Sequence, residues 1–190
     1  MGHEAKALLP IGRTRIIDLQ LTTLRAVADQ VAIVSTDTTR YGGFGVPVWP
    51  DLQPGRGPLG GILTALVNAG TPSTLVVAGD MPFLTVAFLR YLVAAAEGVD
   101  VAIPHTTEGY QPLCAVYNRT CMKPIERRLE EGVLKVTELL SLVNVRELRS
   151  AEVRGFDPDG TLFFNVNTPA DYKRSLLIAK HRQPRTPEPR

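Results

Sequence analysis

An α/β fold with a parallel or mixed sheet is the architecture this sequence predicts, and three observations carry the prediction. Short β-branched runs alternate with longer segments of helical periodicity along most of the chain. The length, 190 residues, suits one domain with a sizeable core. The composition is that of an ordinary globular protein, 44% hydrophobic and 21% charged, and 16 glycines with 15 prolines point to many tight loops.

The elements follow in order. Residues 14–28 (TRIIDLQLTTLRAVA) space their apolar side chains as a helix does, and 31–35 (VAIVS) read as a buried strand. A short strand over 46–49 (VPVW) leads into PDLQPGRGPLGG, a loop by composition. The spacing predicts a helix over 62–69, with Pro58 suited to its first turn and Gly70 to its stop. The run 74–78 (TLVVA) is the clearest buried strand and ends in the turn Gly79-Asp80-Met81-Pro82. Then come a helix over 85–96, strands over 99–104 and 113–117, helices over 120–131 and 134–143, and strands at VNVREL and 161–164. Thr168-Pro169-Ala170-Asp171 opens a last helix as a capping box.

Charge narrows the function classes. The net charge of +2 comes from the C-terminal end, because the segment from Lys173 onward is strongly basic and the body before it is mildly acidic. An acidic body argues against a broad nucleic-acid-binding face. No signal peptide opens the chain. The uncharged stretch from Gly57 to Gly79 is divided by Asn68, Gly70 and Thr71-Pro72-Ser73-Thr74, so it reads as a helix and a strand and not a membrane span. Cys114 and Cys121 form neither a disulfide framework nor a metal knuckle, and as reduced thiols they suit a cytoplasmic protein.

Two signals compete for chemistry. Gly55-x-Gly57-x-x-Gly60 has the dinucleotide spacing, with Asp80 twenty residues beyond Gly60. Its context is wrong: a polar loop separates the glycines from the preceding strand, and Pro58 removes an N–H from the turn. Lys-Ser/Thr is missing where a P-loop would need it. Asp80 is the second signal. A carboxylate just past a buried strand lies on the carboxyl edge of the sheet, where open α/β folds bind ligands, and there it can hold Mg²⁺ beside substrate phosphates. Its plain alternative is a turn former. Asp51 follows VPVW in the same way. No nucleophilic triad exists, and His3, His105 and His181 are scattered and read as surface residues. That set suits phosphoryl or nucleotidyl transfer, in which the substrate brings its own ionised nucleophile.

Several stretches in series carry a resemblance. MGHEAKALLPIG, GPLGGI (57–62), VVAGDMPFL (76–84), YQPLCAVY (110–117) and FFNVNTPADY (163–172) resemble the molybdenum cofactor guanylyltransferases over essentially the whole chain. The resemblance implies a Rossmann-like nucleotidyltransferase fold, a mixed, mostly parallel sheet with helices on both faces. It implies transfer of GMP from GTP to the phosphate of Mo-molybdopterin, with Mg²⁺ as cofactor and possible hand-over to molybdoenzyme maturation proteins. By position, Asp80 matches the metal-binding aspartate, Lys6 the phosphate-neutralising lysine and Asp51 a nucleotide-contacting aspartate. Gly57 and Gly60 match the loop framing the base, and Asn165 and Asn167 the acceptor-side asparagines, which would project the same way from a strand.

The resemblance also implies a hydrophobic strand and an LAGGxSxR segment ahead of Met1-Gly2. These are absent from the 190 residues, leaving the expectation of a central strand's two neighbours with unpaired edges. Residues 1–180 are expected to form the single domain and 181–190 a flexible basic tail. A CTP-dependent or sugar-phosphate nucleotidyltransferase, and a truncated non-catalytic nucleotide-binding relative, stand as alternatives.

Overall fold

The structure, a computed structural model, describes residues 6–182. A 3₁₀ turn, Lys6–Leu8, precedes the small hairpin β1 (Pro10–Ile11) and β2 (Thr14–Arg15), and α1 (Ile16–Arg25) follows. Next come β3 (Ile33–Ser35), β4 (Val48–Pro50), α2 (Gly57–Ala69), β5 (Ser73–Val77), α3 (Val86–Ala94), β6 (Val101–Thr106), β7 (Gly109–Tyr110) and β8 (Cys114–Asn118). The chain closes with α4 (Met122–Glu130), β9 (Val145–Arg149), α5 (Ser150–Arg154) and α6 (Pro169–Arg182).

The expected α/β class holds, and its sheet is mixed. β8 runs antiparallel to both β5 and β6, so β5 and β6 point the same way, and β9 lies parallel to β6. β7 turns back against the end of β6. Strand alternation gives each face its own core. Val101, Ile103, Ala115 and Tyr117 face a layer with α2 and α4 residues such as Leu59, Ile62, Leu66 and Ile125. Ala102, Cys114, Val116 and Leu148 face the opposite way, towards Phe88, Leu89 and Leu92 of α3 and Val153 of α5. Helices therefore cover both faces. The uncharged stretch 57–79 is α2 and β5, and among the described residues no helix is long and apolar enough to cross a membrane. Cys114 and Cys121 are free and buried; burial pushes the Cys121 thiol up to about 12 and raises Cys114 as well.

β3 and β4 pair in parallel with each other but stand apart from the five-stranded sheet. α2 packs on β3, β4 and β5 together, yet among the described residues no ladder joins β3 to β5. Among the described residues the outer edge of β5 has no strand partner, and its side chains are mostly half-buried where those of β6 and β8 are mostly buried.

Three local readings are corrected. Residues 161–164 are not a strand: Asp157 Oδ1 accepts the amides of Thr161 and Leu162 at 2.7 and 3.0 Å, and a turn bond links Phe164 N to Thr161 O. A side chain thus competes successfully with ladder pairing. Residues 136–142 form 3₁₀ turns and not an α-helix, with Val136 and Leu139 burying one stripe at the three-residue repeat. α6 continues through Arg182, so the first two residues of the expected tail are helical; residues 183–190 lie outside the described residues.

Candidate active site

The site begins with a close packing of apolar side chains. Ala7 is buried against Ile17 and Leu21 of α1, and a Cβ on Gly79 would meet the Ala7 methyl at 3.4 Å. The 3₁₀ turn therefore lies against the end of β5 and delivers Lys6 to Asp80. Lys6 Nζ stands 3.8 Å from Asp80 Oδ2 and donates to Asn167 Oδ1 at 2.6 Å. These three expected site residues, up to 161 positions apart, converge at the carboxyl edge of β5.

The segment carrying Asn167 is stitched to the Asp80 turn by its backbone. Val166 is fully buried with Ile11, Ile16 and Phe83, and its N–H donates to Asp80 O at 3.0 Å. Arg182 clamps the two segments from α6: its guanidinium donates to Phe83 O at 3.4 Å and Thr161 Oγ1 at 2.6 Å and lies over the Phe83 ring. The α6 capping box forms as expected, Asp171 Oδ2 accepting from Thr168 N at 2.8 Å and Thr168 Oγ1 from Asp171 N at 3.1 Å. Asn165 departs from the expected pairing. Its amide turns back to Phe163 O at 3.0 Å, so with no strand at this point the two asparagines do not share a strand face.

Burial raises the Asp80 carboxyl above its ordinary value, and the Lys6 charge works against that rise. Its side chain retains 21% exposure, and Lys6 is its ion-pair partner, at more than hydrogen-bonding distance. The carboxylate is consequently open to a cation. Among the described residues no cluster of three His, Cys, Asp or Glu forms a metal cage. One partly exposed carboxylate fits a divalent cation that takes one or two protein carboxylates and completes its shell with substrate phosphates and water.

Asp51, Gly57 and Gly60 form a second group around the start of α2. Asp51 Oδ1 accepts from Gln53 N at 2.9 Å and Thr64 Oγ1 at 3.1 Å, fastening the 51–56 loop to the helix. Gly57 adopts φ +61° and has open space around it. Gly60 is buried, and a Cβ there would come within 2.9 Å of Gln53 O. The space that a side chain at Gly60 would fill is therefore taken by the protein's own loop. Both glycines lie in the first turn of α2 and not in the loop, and Arg56 provides no side-chain cap to the amides of that turn. No hydrogen bond or ion pair among the described residues joins this group to Lys6 and Asp80.

Gln20 escaped the sequence reading. It is 6% exposed, and its Nε2 donates to Ala78 O at 2.6 Å and Met81 O at 3.1 Å, bridging the backbone on either side of Asp80. A polar residue at a buried position of an amphipathic helix was the available signal. Gln20→Leu leaves both carbonyls unpaired, at a cost of about 1–3 kcal/mol. Thermal melting should show that loss, and titration should show metal-dependent nucleotide binding weakened with it; a variant that matches the wild type in both assigns Gln20 no positioning role.

The family model described as the MobA-like NTP transferase domain matches residues 1–146. A protein of Pelotomaculum thermopropionicum named "Probable molybdenum cofactor guanylyltransferase" is 39% identical over 182 residues, 95% of this chain and 88% of its own length. The "Molybdenum cofactor guanylyltransferase" of Desulfosudis oleivorans is 34% identical over 94% of this chain and 88% of its own. The crystal structure of molybdopterin-guanine dinucleotide biosynthesis protein A from Archaeoglobus fulgidus superposes with a TM-score of 0.82 at 28% identity, covering 94% of this chain and 92% of that one. The chain therefore belongs to the MobA-like NTP transferase domain family.

Proposed function

We propose that this protein transfers the GMP moiety of GTP to the phosphate of Mo-molybdopterin, giving the guanine dinucleotide form of the cofactor and pyrophosphate. The observation that carries the reading is the convergence of Lys6, Asp80 and Asn167 at one sheet edge. The names of the relatives supply the substrate class. An acceptor phosphate oxygen attacks the α-phosphorus of GTP. The bond from that phosphorus to the bridging oxygen breaks, and its electron pair leaves with pyrophosphate. The acceptor oxygen is already ionised at neutral pH, so no protein base is needed, and positioning with charge neutralisation supplies the catalysis.

In this reading Asp80 holds Mg²⁺, which when bound neutralises phosphate charge and orients the reacting oxygens. Lys6 faces the same phosphates, and Asn167 aims its ammonium. Asp51 and the uncapped first turn of α2, with Gly57 and Gly60, receive the nucleotide. Asn165 and Asn167 receive the acceptor. The location is the cytoplasm, where molybdoenzyme maturation proteins take the product. The test is transfer itself: the protein with GTP, Mg²⁺ and Mo-molybdopterin should form the dinucleotide with one pyrophosphate per transfer. No product with GTP, or product with CTP in its place, overturns the assignment.

A further inference from the structure

Beyond the Asp80 edge lies a side-chain constellation that the mechanism above does not use. In the ladder registers, His105 of β6 pairs Arg149 of β9 on one side and Tyr110 of β7 on the other. Residues paired across strands share a sheet face, and Glu147, two positions before Arg149, shares it too. The contacts agree. The His105 and Tyr110 rings stack at 4.1 Å between centroids with planes 19° apart. Glu147 accepts from the Tyr110 hydroxyl and stands 3.3 Å from His105 Nδ1. His105, Glu147 and Arg149 line an open depression of about 500 Å³, with Thr106 and Ser150 on its rim. Tyr110 is not part of that lining and backs the imidazole, whose side chain is 41% exposed.

Each group has capacity to spare. The Tyr110 hydroxyl holds the Glu147 carboxyl below its usual range, so it is an anion at neutral pH with lone pairs left for further N–H donors. Arg149 is exposed, and among the described residues no carboxylate lies within ion-pair distance of it. The depression sits at the carboxyl ends of β6 and β9, on the same sheet edge as Asp80. Two strand spacings from β5 to β6 amount to about 10 Å, and three to β9 about 14 Å. A heterocycle carrying the reacting phosphate on a short arm spans that interval.

We propose that this depression is the acceptor half-site and binds the 2-amino-4-oxopteridine of the acceptor. His105 is the stacking platform, Glu147 accepts from the ring N–H and amino groups, and Arg149 faces the acceptor's anionic substituents. The proposal rests on the guanylyl-transfer reading for its substrate, while the recognition chemistry stands on these residues. Guanine presents the same amino-oxo edge, so the experiment must separate pterin from nucleotide.

Neopterin, a fluorescent 2-amino-4-oxopteridine, is titrated against the wild type, His105→Ala and Glu147→Gln, with GTP and Mg²⁺ titrated in parallel. The two variants should weaken neopterin about tenfold and leave GTP within about twofold, the scale of removing one hydrogen-bonding or stacking partner. Arg149→Ala, which breaks no ion pair among the described residues, should raise the KM for Mo-molybdopterin about tenfold with kcat little changed, a loss of uniform binding. Absence of neopterin binding to the wild type, unchanged binding in both variants, or parallel weakening of GTP overturns the proposal. If neopterin binds and the variants release it while no GMP transfer occurs, the guanylyl reading fails and the pterin site stands.

Discussion

Asp80→Ala is expected to lower GMP transfer by about 10³-fold or more, in line with removing a principal electrostatic group from a phosphate-transfer site. Asp80→Asn should do nearly the same, because the neutral amide keeps the shape and loses the charge that holds the metal. The two variants differ usefully in stability. Burial raises the Asp80 carboxyl above its unfolded value, so the folded state favours the protonated form. That preference contributes stability at low pH and is lost as pH rises through the folded value, leaving the ionised side chain a net cost at neutral pH. Asp80→Asn removes that cost. Lys6 is not orphaned, since it is 34% exposed and keeps its bond to Asn167. Thermal melting of Asp80→Asn should therefore match or exceed the wild type at pH 7 while transfer is lost. An active variant, or one that melts several degrees lower, removes Asp80 from the functional site and returns it to the role of a turn former.

The contrast between legible and illegible features follows the range of the contacts involved. β5 and the body of α2 were readable because an uncharged run and Gly70 at its break are local signals, whereas the first turn of α2, 57–61, read as loop because its glycines and Pro58 are loop formers by composition. The α6 cap was readable for the same reason: Thr168 and Asp171 satisfy each other across a single turn. Residues 161–164 carry strand-forming side chains, yet Asp157 captures their first amides, a choice that β-propensity does not register. Asp80 and Lys6 could be proposed from a strand end and from a resemblance. Neither source shows that Asn167 aims the lysine, because that bond spans 161 positions and depends on Val166 docking onto the Asp80 turn. Gln20 and the His105–Glu147 constellation were missed on the same ground. Their partners lie on elements far apart in sequence, and only the packing of α1 on the β5 turn, or the register of β6 with β9, brings them together.

Lys6→Met should reveal the coupling inside the site through pH. In the folded protein two influences on Asp80 oppose each other, burial raising its carboxyl and the Lys6 ammonium lowering it. Methionine keeps the length and apolar stem of lysine and removes the charge, so burial acts unopposed and the carboxyl rises further. Metal binds the ionised form. Metal-dependent GTP binding should consequently fail at a higher pH in Lys6→Met than in the wild type as the solution is acidified. On the alkaline side of that limb, where metal-dependent binding no longer changes with pH, a loss of about 10²-fold in transfer remains from the missing phosphate-neutralising charge. Lys6→Arg retains the charge and should keep the acid limb near its wild-type position. Asn167→Ala supplies the complementary case: it leaves both charges in place and frees the ammonium that Asn167 now holds at 2.6 Å. Its acid limb should stay where it is, and the loss should fall on transfer. An unshifted acid limb in Lys6→Met would mean that the ammonium 3.8 Å from Asp80 is screened from it, and that the lysine serves the phosphates alone.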